Sequence, residues 1–269
     1  MTSLRTLLAT SALALCAGAS TVAAQEMGDL IGITVLDGWQ TERGTVMAGL
    51  RITLDAGWKT YWRNPGDSGI PPQFDWGASD NLKAVQVYWP RPEIFQDAGA
   101  ETLGYKDEFV LPVELFPRDA SAPVRLDGLA SVGVCRDVCV PVDAVFGGTV
   151  GQGDRGHEGA IRGALAAQPD RVDGPRTVSC RVNPIADGLQ LTARIAVPPQ
   201  GTTERVVFET GRQDLWISAP VSSREGHILV ATAELVPPEA QPFAFSRSDL
   251  RVTVLGQTRA VEMKGCSAS

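Results

Sequence analysis

Short alternations of apolar and polar residues, broken repeatedly by glycine and proline, constrain this chain more than any other feature. Leu50, Ile52 and Leu54 alternate with Arg51 and Thr53, the two-residue period of a strand with one buried face. Similar runs occupy 31–36, 84–88, 109–115 and 138–145. Turn signals separate them at Asp37-Gly38, Asn64-Pro65-Gly66-Asp67, Pro71-Pro72 and Asp127-Gly128. Many short strands with regular turns predict an all-β sandwich or barrel. One stretch departs from this pattern. Residues 157–168 are alanine-rich and predict a short helix, inside a Gly/Asp-rich region, 151–174, that reads as a connector. After Pro175 the strand pattern resumes at Leu189–Ile195, Arg205–Glu209, 227–233 and 250–255, with Asp187-Gly188 as a hairpin turn and Pro198-Pro199 as a break. The expected architecture is therefore two β-sandwich domains, 25–150 and 175–269, joined by that connector.

The first 24 residues read as an address. Arg5 precedes an apolar stretch from Leu7 to Leu15, followed by small residues and Val22-Ala23-Ala24. This is the charged, apolar and small-x-small order of a secretory signal, with cleavage expected after Ala24. Cys16 leaves with it; Leu15 stands where a lipoprotein signal wants a small residue. No other segment approaches 18 apolar residues, so no membrane span is expected after cleavage.

Composition excludes several functions. With 43% hydrophobic and 20% charged residues the chain is globular rather than disordered. A net charge of −7, with no basic run, argues against nucleic acid as a partner. Two histidines, His157 and His227, leave little room for a histidine-rich metal site, and both read as surface residues. No nucleophile–base–acid set suggests an ordinary hydrolase.

Export changes how the remaining cysteines are read, because an oxidising compartment favours pairing. Cys180 opens the second domain and Cys266 lies near its end; a bridge between them reads as a structural staple. Cys135 and Cys139 differ. Four residues of extended chain span about 13 Å, whereas a disulfide needs Cα atoms within about 7 Å, so a bridge here requires a turn. So local a bridge removes little unfolded-state entropy. Arg136 beside Cys135 is placed to lower a thiol pKa, and Asp137 to oppose it or accept a proton. From spacing alone, a local staple and an exchanging pair are equally open. Two thiolates four apart can also hold Cu(I), but Val140 intervenes before Pro141 and no nearby histidine offers a third ligand.

Three stretches carry a resemblance that separates these readings. They run from Gly57-Trp58-Lys59-Thr60-Tyr61-Trp62-Arg63-Asn64-Pro65-Gly66 to Pro71-Pro72, from Gly104-Tyr105-Lys106-Asp107-Glu108 to Val113, and from Val134-Cys135 to Cys139-Val140-Pro141. Together they resemble the periplasmic amino-terminal domain of the thiol:disulfide interchange protein DsbD, in the variant found in copper-sensitivity suppressor B proteins. The resemblance implies an immunoglobulin-like sandwich, a periplasmic location and no cofactor. It implies that Cys135 and Cys139 exchange disulfides, Cys139 attacking and Cys135 resolving. It implies a cap loop over the pair at 98–106, with Tyr105 as the shielding aromatic. The partners it implies are periplasmic thiol oxidoreductases, with a separate membrane protein as electron donor. The Cys-x3-Cys spacing is narrower than in the better-known DsbD domain. A Cu(I)-binding module and a non-catalytic, disulfide-stapled binding protein are the alternatives. Trp58, Trp62, Trp76 and Trp89 read as sandwich core and edge, and Lys59, Arg63 and Asp67 as solvated turn positions. Asp107 and Glu108 flank the expected cap.

Overall fold

A computed structural model describes residues 30–66, 68–97, 100–153, 156–212 and 214–269. The expected signal segment and Asp67 lie outside the described residues. Ten strands form the first sandwich: β1 Ile31–Gln40, β2 Val46–Leu54, β3 Lys59–Gly66, β4 Gln73–Asp75, β5 Leu82–Val87, β6 Glu93–Asp97, β7 Ala100–Lys106, β8 Glu108–Pro117, β9 Val124–Cys135 and β10 Cys139–Val150. One sheet runs β1-β2-β8-β5; the other runs β10-β9-β3-β7-β6, with β4 also paired to β9. Alternation decides which faces meet. Leu50, Ile52 and Leu54 of β2 and Leu111 of β8 pack against Ala130, Val132 and Val134 of β9, as the two-residue period requires.

Two expected turns are strand interior. The Asp37-Gly38 pair lies within β1, where the register with β2 shifts between Asp37 and Trp39: a bulge rather than a turn. Asp127-Gly128 lies within β9, paired with Gly147 and Phe146. A Cβ at Gly128 would stand 2.4 Å from the Phe146 ring, so here glycine serves close packing and not chain reversal.

The region 151–174 is not a free linker. Its helix, α1 Glu158–Ala166, buries Ile161 against Leu36 and Met47 of the first sandwich. Its last residues form β11 Asp170–Asp173, which pairs in parallel with a strand of the second sandwich. That sandwich contains α2 Gly174–Thr177, β12 Val178–Pro184, β13 Leu189–Ile195, β14 Arg205–Glu209, β15 Trp216–Ile217, β16 Val221–Glu225, β17 Ile228–Val236, β18 Arg251–Leu255, β19 Ala260–Lys264 and β20 Ser267–Ala268. Its sheets run β11-β19-β18-β14 and β15-β17-β13-β12-β20, with β16 on β17. The expected hairpin at Asp187-Gly188 joins β12 to β13, with Ile185 N–H donating to the Gly188 carbonyl. The whole is all-β, two immunoglobulin-like sandwiches with a short helix between them.

The sandwiches share an apolar contact. Trp62, Leu103 and Tyr105 pack with Val207, Leu255 and Ala260. Arg63 donates to Glu209 through Nε (2.9 Å) and a terminal nitrogen (2.9 Å), and to Glu262 at 2.6 Å. Arg63 is 14% exposed, so its reading as a solvated turn position is corrected. Burial opposes its charge, but the two carboxylates outweigh that and hold its pKa above the ordinary arginine value.

Glu114, in the middle of β8, is 2% exposed. It accepts hydrogen bonds from Thr45 Oγ1 (2.5 Å), Arg43 (2.7 Å) and Tyr88 Oη (2.6 Å). Burial raises its pKa, yet these donors win and hold it below the usual carboxylate range. A carboxyl whose pKa is depressed on folding contributes stability above its unfolded pKa and loses it as pH falls through the folded value. Glu114→Gln should therefore cost about 2 kcal/mol at pH 7. The gap from wild type should close below about pH 4, as read by urea unfolding across pH.

Candidate redox site

The pair sits where β9 turns into β10. Arg136-Asp137-Val138 form the loop, closed by Arg136 N–H donating to the Val138 carbonyl at 3.2 Å, so Cys135 and Cys139 stand opposite one another as the first pair of the ladder. Their Cα atoms are 4.1 Å apart and the sulfurs are bonded. The turn that the spacing argument requires is this hairpin. The two sulfur-bearing residues differ in access. Cys135 is 2% exposed, whereas Cys139 lies on the surface beside Val138, 65% exposed.

A third group completes the site. Tyr61 Oη lies 2.8 Å from Cys135 Sγ and 3.0 Å from Cys139 Sγ. Strand register places it there. Lys59 of β3 pairs with Cys135 of β9, so Lys59, Tyr61 and Cys135 share the sheet face directed away from the sandwich core. Glycines make room for the ring: a Cβ at Gly133 would stand 2.8 Å from it and one at Gly69 2.5 Å. Gly69 also has φ +137°, which favours glycine. Ile70 crosses beside Gly133, so the segment after β3 covers the phenol, and Tyr61 is buried.

Tyr105 is not at the pair, which corrects its expected role as shield. It pairs with Thr60 and therefore points to the opposite face from Tyr61 and Cys135. There it stacks on Phe109 with ring centroids 4.0 Å apart and donates its hydroxyl to the Pro90 carbonyl at 2.7 Å. Full burial raises its pKa well above the ordinary tyrosine value, so it stays neutral. Of the expected cap, 98–106, residues 100–106 are the second strand of the β6–β7 hairpin; residues 98 and 99 lie outside the described residues. Lys59 extends its ammonium over the Phe95 ring of this hairpin at 5.0 Å.

Arg136 and Asp137, expected to tune the thiols, bind each other at 3.4 Å, and Arg136 lies over the Trp58 ring at 5.0 Å. Both are exposed. Among the described residues neither makes a hydrogen bond to sulfur, and Tyr61 is the residue that does. Sequence reasoning assigned Tyr61 no role. Its signal lay in the Trp58–Arg63 stretch, but the pairing that brings it to Cys135 spans over 70 residues. Asp107 forms the turn into β8 with φ +57°, and Glu108 faces Arg51 at 3.6 Å; neither reaches the pair. His157 stands at the N-cap position of α1 without a side-chain capping bond, and His227 lies on the surface. Among the described residues no group of three His, Cys, Asp or Glu side chains could hold a metal. The second bridge, Cys180–Cys266, is buried in the core of the second sandwich.

A surface sulfur, a buried sulfur bonded to it and a hydroxyl within reach of both are the parts that thiol–disulfide interchange on a β-sandwich would need. Residues 34–149, which span most of the first sandwich, match the family described as thiol:disulfide interchange protein DsbD, N-terminal. The fold extends further. The N-terminal periplasmic domain of ScsB from Proteus mirabilis superposes with a TM-score of 0.65, covering 89% of this chain and 92% of its own at 22% identity. No curated protein sequence matches the chain. Among the described residues no helix is long and apolar enough to cross a membrane.

Proposed function

We propose that this is a periplasmic thiol–disulfide interchange protein that passes reducing equivalents to protein partners through Cys135 and Cys139. The single observation that carries this reading is the unequal access of two bonded sulfurs that share the Tyr61 hydroxyl. In the reduced protein the Cys139 thiolate, its proton lost to solvent, attacks one sulfur of a partner disulfide. The other partner sulfur leaves as a thiolate and is protonated. Cys135 then attacks Cys139 Sγ in the mixed disulfide, the partner departs as a dithiol, and two electrons have left the pair. The reverse begins when a donor thiolate attacks the accessible Cys139 Sγ and Cys135 leaves. Tyr61 Oη stands ready to donate a hydrogen bond to whichever sulfur carries the charge. Arg136 and Asp137 belong in this reading to the rim that a partner meets, and Cys180–Cys266 is the staple.

The same reading divides the chain into an export signal at 1–24, the redox domain at 25–150, a connector at 151–174 and a second sandwich at 175–269. Partners are thiol oxidoreductases of the periplasm, and a separate membrane protein supplies the electrons. The test is a redox titration of the mature protein, each bridge followed by alkylation and peptide mapping. Cys135–Cys139 should titrate above about −300 mV, while Cys180–Cys266 resists. Equal resistance of both bridges would overturn the exchange reading in favour of a stapled binding protein.

A further inference from the structure

Strand β3 reaches the redox site at one end and the second sandwich at the other. Up to Tyr61 it is an ordinary ladder member, paired with β7 through Lys59, Thr60 and Tyr61 and with β9 through Lys59 and Thr60. Then regular pairing stops. The next pair with β7 is Gly66 with Thr102, so four residues, 62–65, oppose the single Leu103, and β3 has no further pair with β9. Part of what holds this unladdered stretch comes from the other domain. Trp62 is fully buried with Val207, Leu255 and Ala260. Arg63 forks onto Glu209 of β14 and Glu262 of β19, at 14%, 19% and 13% exposure, and lies over the Trp62 ring at 4.2 Å.

We infer that the second sandwich is a working part of the redox site, and that Arg63 is a positioning residue that fixes β3, and thereby the Tyr61 hydroxyl, against the two sulfurs. Tyr61 is the last residue of the regular ladder before pairing lapses over 62–65, the stretch that Arg63 anchors two residues on. A planar guanidinium gripping two carboxylates fixes direction as well as distance, which an ammonium does not. This inference rests on the exchange reading for its consequence, but not for its geometry.

The test uses the whole chain and two readouts. The first is the thiol–disulfide equilibrium of Cys135–Cys139 against glutathione. A hydroxyl that donates to thiolate favours the reduced form, so Arg63→Met should make the pair more reducing by about tenfold in its equilibrium constant, close to 30 mV. Arg63→Lys should recover part of that shift. Tyr61→Phe should give a similar shift, and Arg63→Met should add almost nothing to it, since the two act through one contact. The second readout needs no exchange. The chain has three tyrosines, so ring-labelled tyrosine NMR of the oxidised protein reports Tyr61 directly, and Arg63→Met should move its signal.

Glu209→Gln and Glu262→Gln, each leaving one carboxylate in place, give the same readouts in milder form should Arg63→Met not fold. Arg194→Met, which removes an exposed ion pair with Glu225 on the second sandwich, should leave both unchanged. Lower thermal stability with wild-type potential and wild-type Tyr61 signals would overturn the inference and leave the exchange reading standing. A moved Tyr61 signal in a protein that exchanges with no partner would overturn the exchange reading and leave the positioning role standing.

Discussion

Replacing Cys135 with serine should turn the protein into a trap for its oxidised partners, and replacing Cys139 with serine should not. Two-electron exchange needs both sulfurs, so each substitution should abolish turnover outright. The intermediates differ. With Cys135 gone, the surface thiol of Cys139 still attacks a partner disulfide, but nothing resolves the mixed disulfide, which accumulates. With Cys139 gone, the remaining thiol is Cys135, 2% exposed and covered by Tyr61, so an incoming disulfide cannot approach along the line of attack. Mixed with an oxidised thioredoxin-fold oxidoreductase, Cys135→Ser should yield at least about tenfold more adduct than Cys139→Ser, a difference of about 1.4 kcal/mol or more in the attack barrier. Non-reducing electrophoresis with mass spectrometry measures it. Equal trapping by both variants would remove the assignment of Cys139 as the attacking thiol.

This asymmetry was half legible in the sequence. The need for a turn between Cys135 and Cys139 follows from chain dimensions alone, and the hairpin supplies it. Which sulfur is exposed does not follow, because it depends on what covers them. The cover is Tyr61 with Gly69 and Ile70, brought in by β3 pairing across more than 70 residues. Tyr105 and Tyr61 show the same limit. Both lie in short strands beside the cysteines, and they point to opposite faces because Tyr105 pairs with Thr60 rather than with Lys59. One step of register reverses every face, and one-dimensional alternation does not contain it. Strands with regular alternation and clear ends, such as β13 and β14, were readable to the residue. Strand β9 was not, since Asp127-Gly128 looks like a turn until Phe146 is seen packing on the glycine. Arg63 looked solvated because its two carboxylates arrive from another domain.

Removing the Cys180–Cys266 bridge should cost far more stability than removing Cys135–Cys139. The first joins residues 86 apart in sequence, and in the chain-entropy picture closing a loop of that length is worth about 4.5 kcal/mol; a loop of four or five residues is worth about 2 kcal/mol. Packing widens the gap. Cys180 and Cys266 are both buried in the second core with Leu191, Val252 and Met263. The bridge also holds Ser267–Ala268, a two-residue parallel addition to β12, too short to stay in place on backbone pairing alone. Cys180→Ala with Cys266→Ala should therefore lower unfolding free energy by about 4 kcal/mol or more. Cys135→Ala with Cys139→Ala should lower it by about 2 kcal/mol or less, while ending exchange. Urea unfolding of the two double variants makes the comparison. The expected pattern, one bridge carrying stability and the other carrying reactivity, has a physical basis: a sulfur free to exchange must break its bond in every cycle, and a fold that depended on that bond would unfold with each turnover. The opposite ranking would mean that the local pair is itself the staple, and would remove the separation of roles on which the redox reading depends.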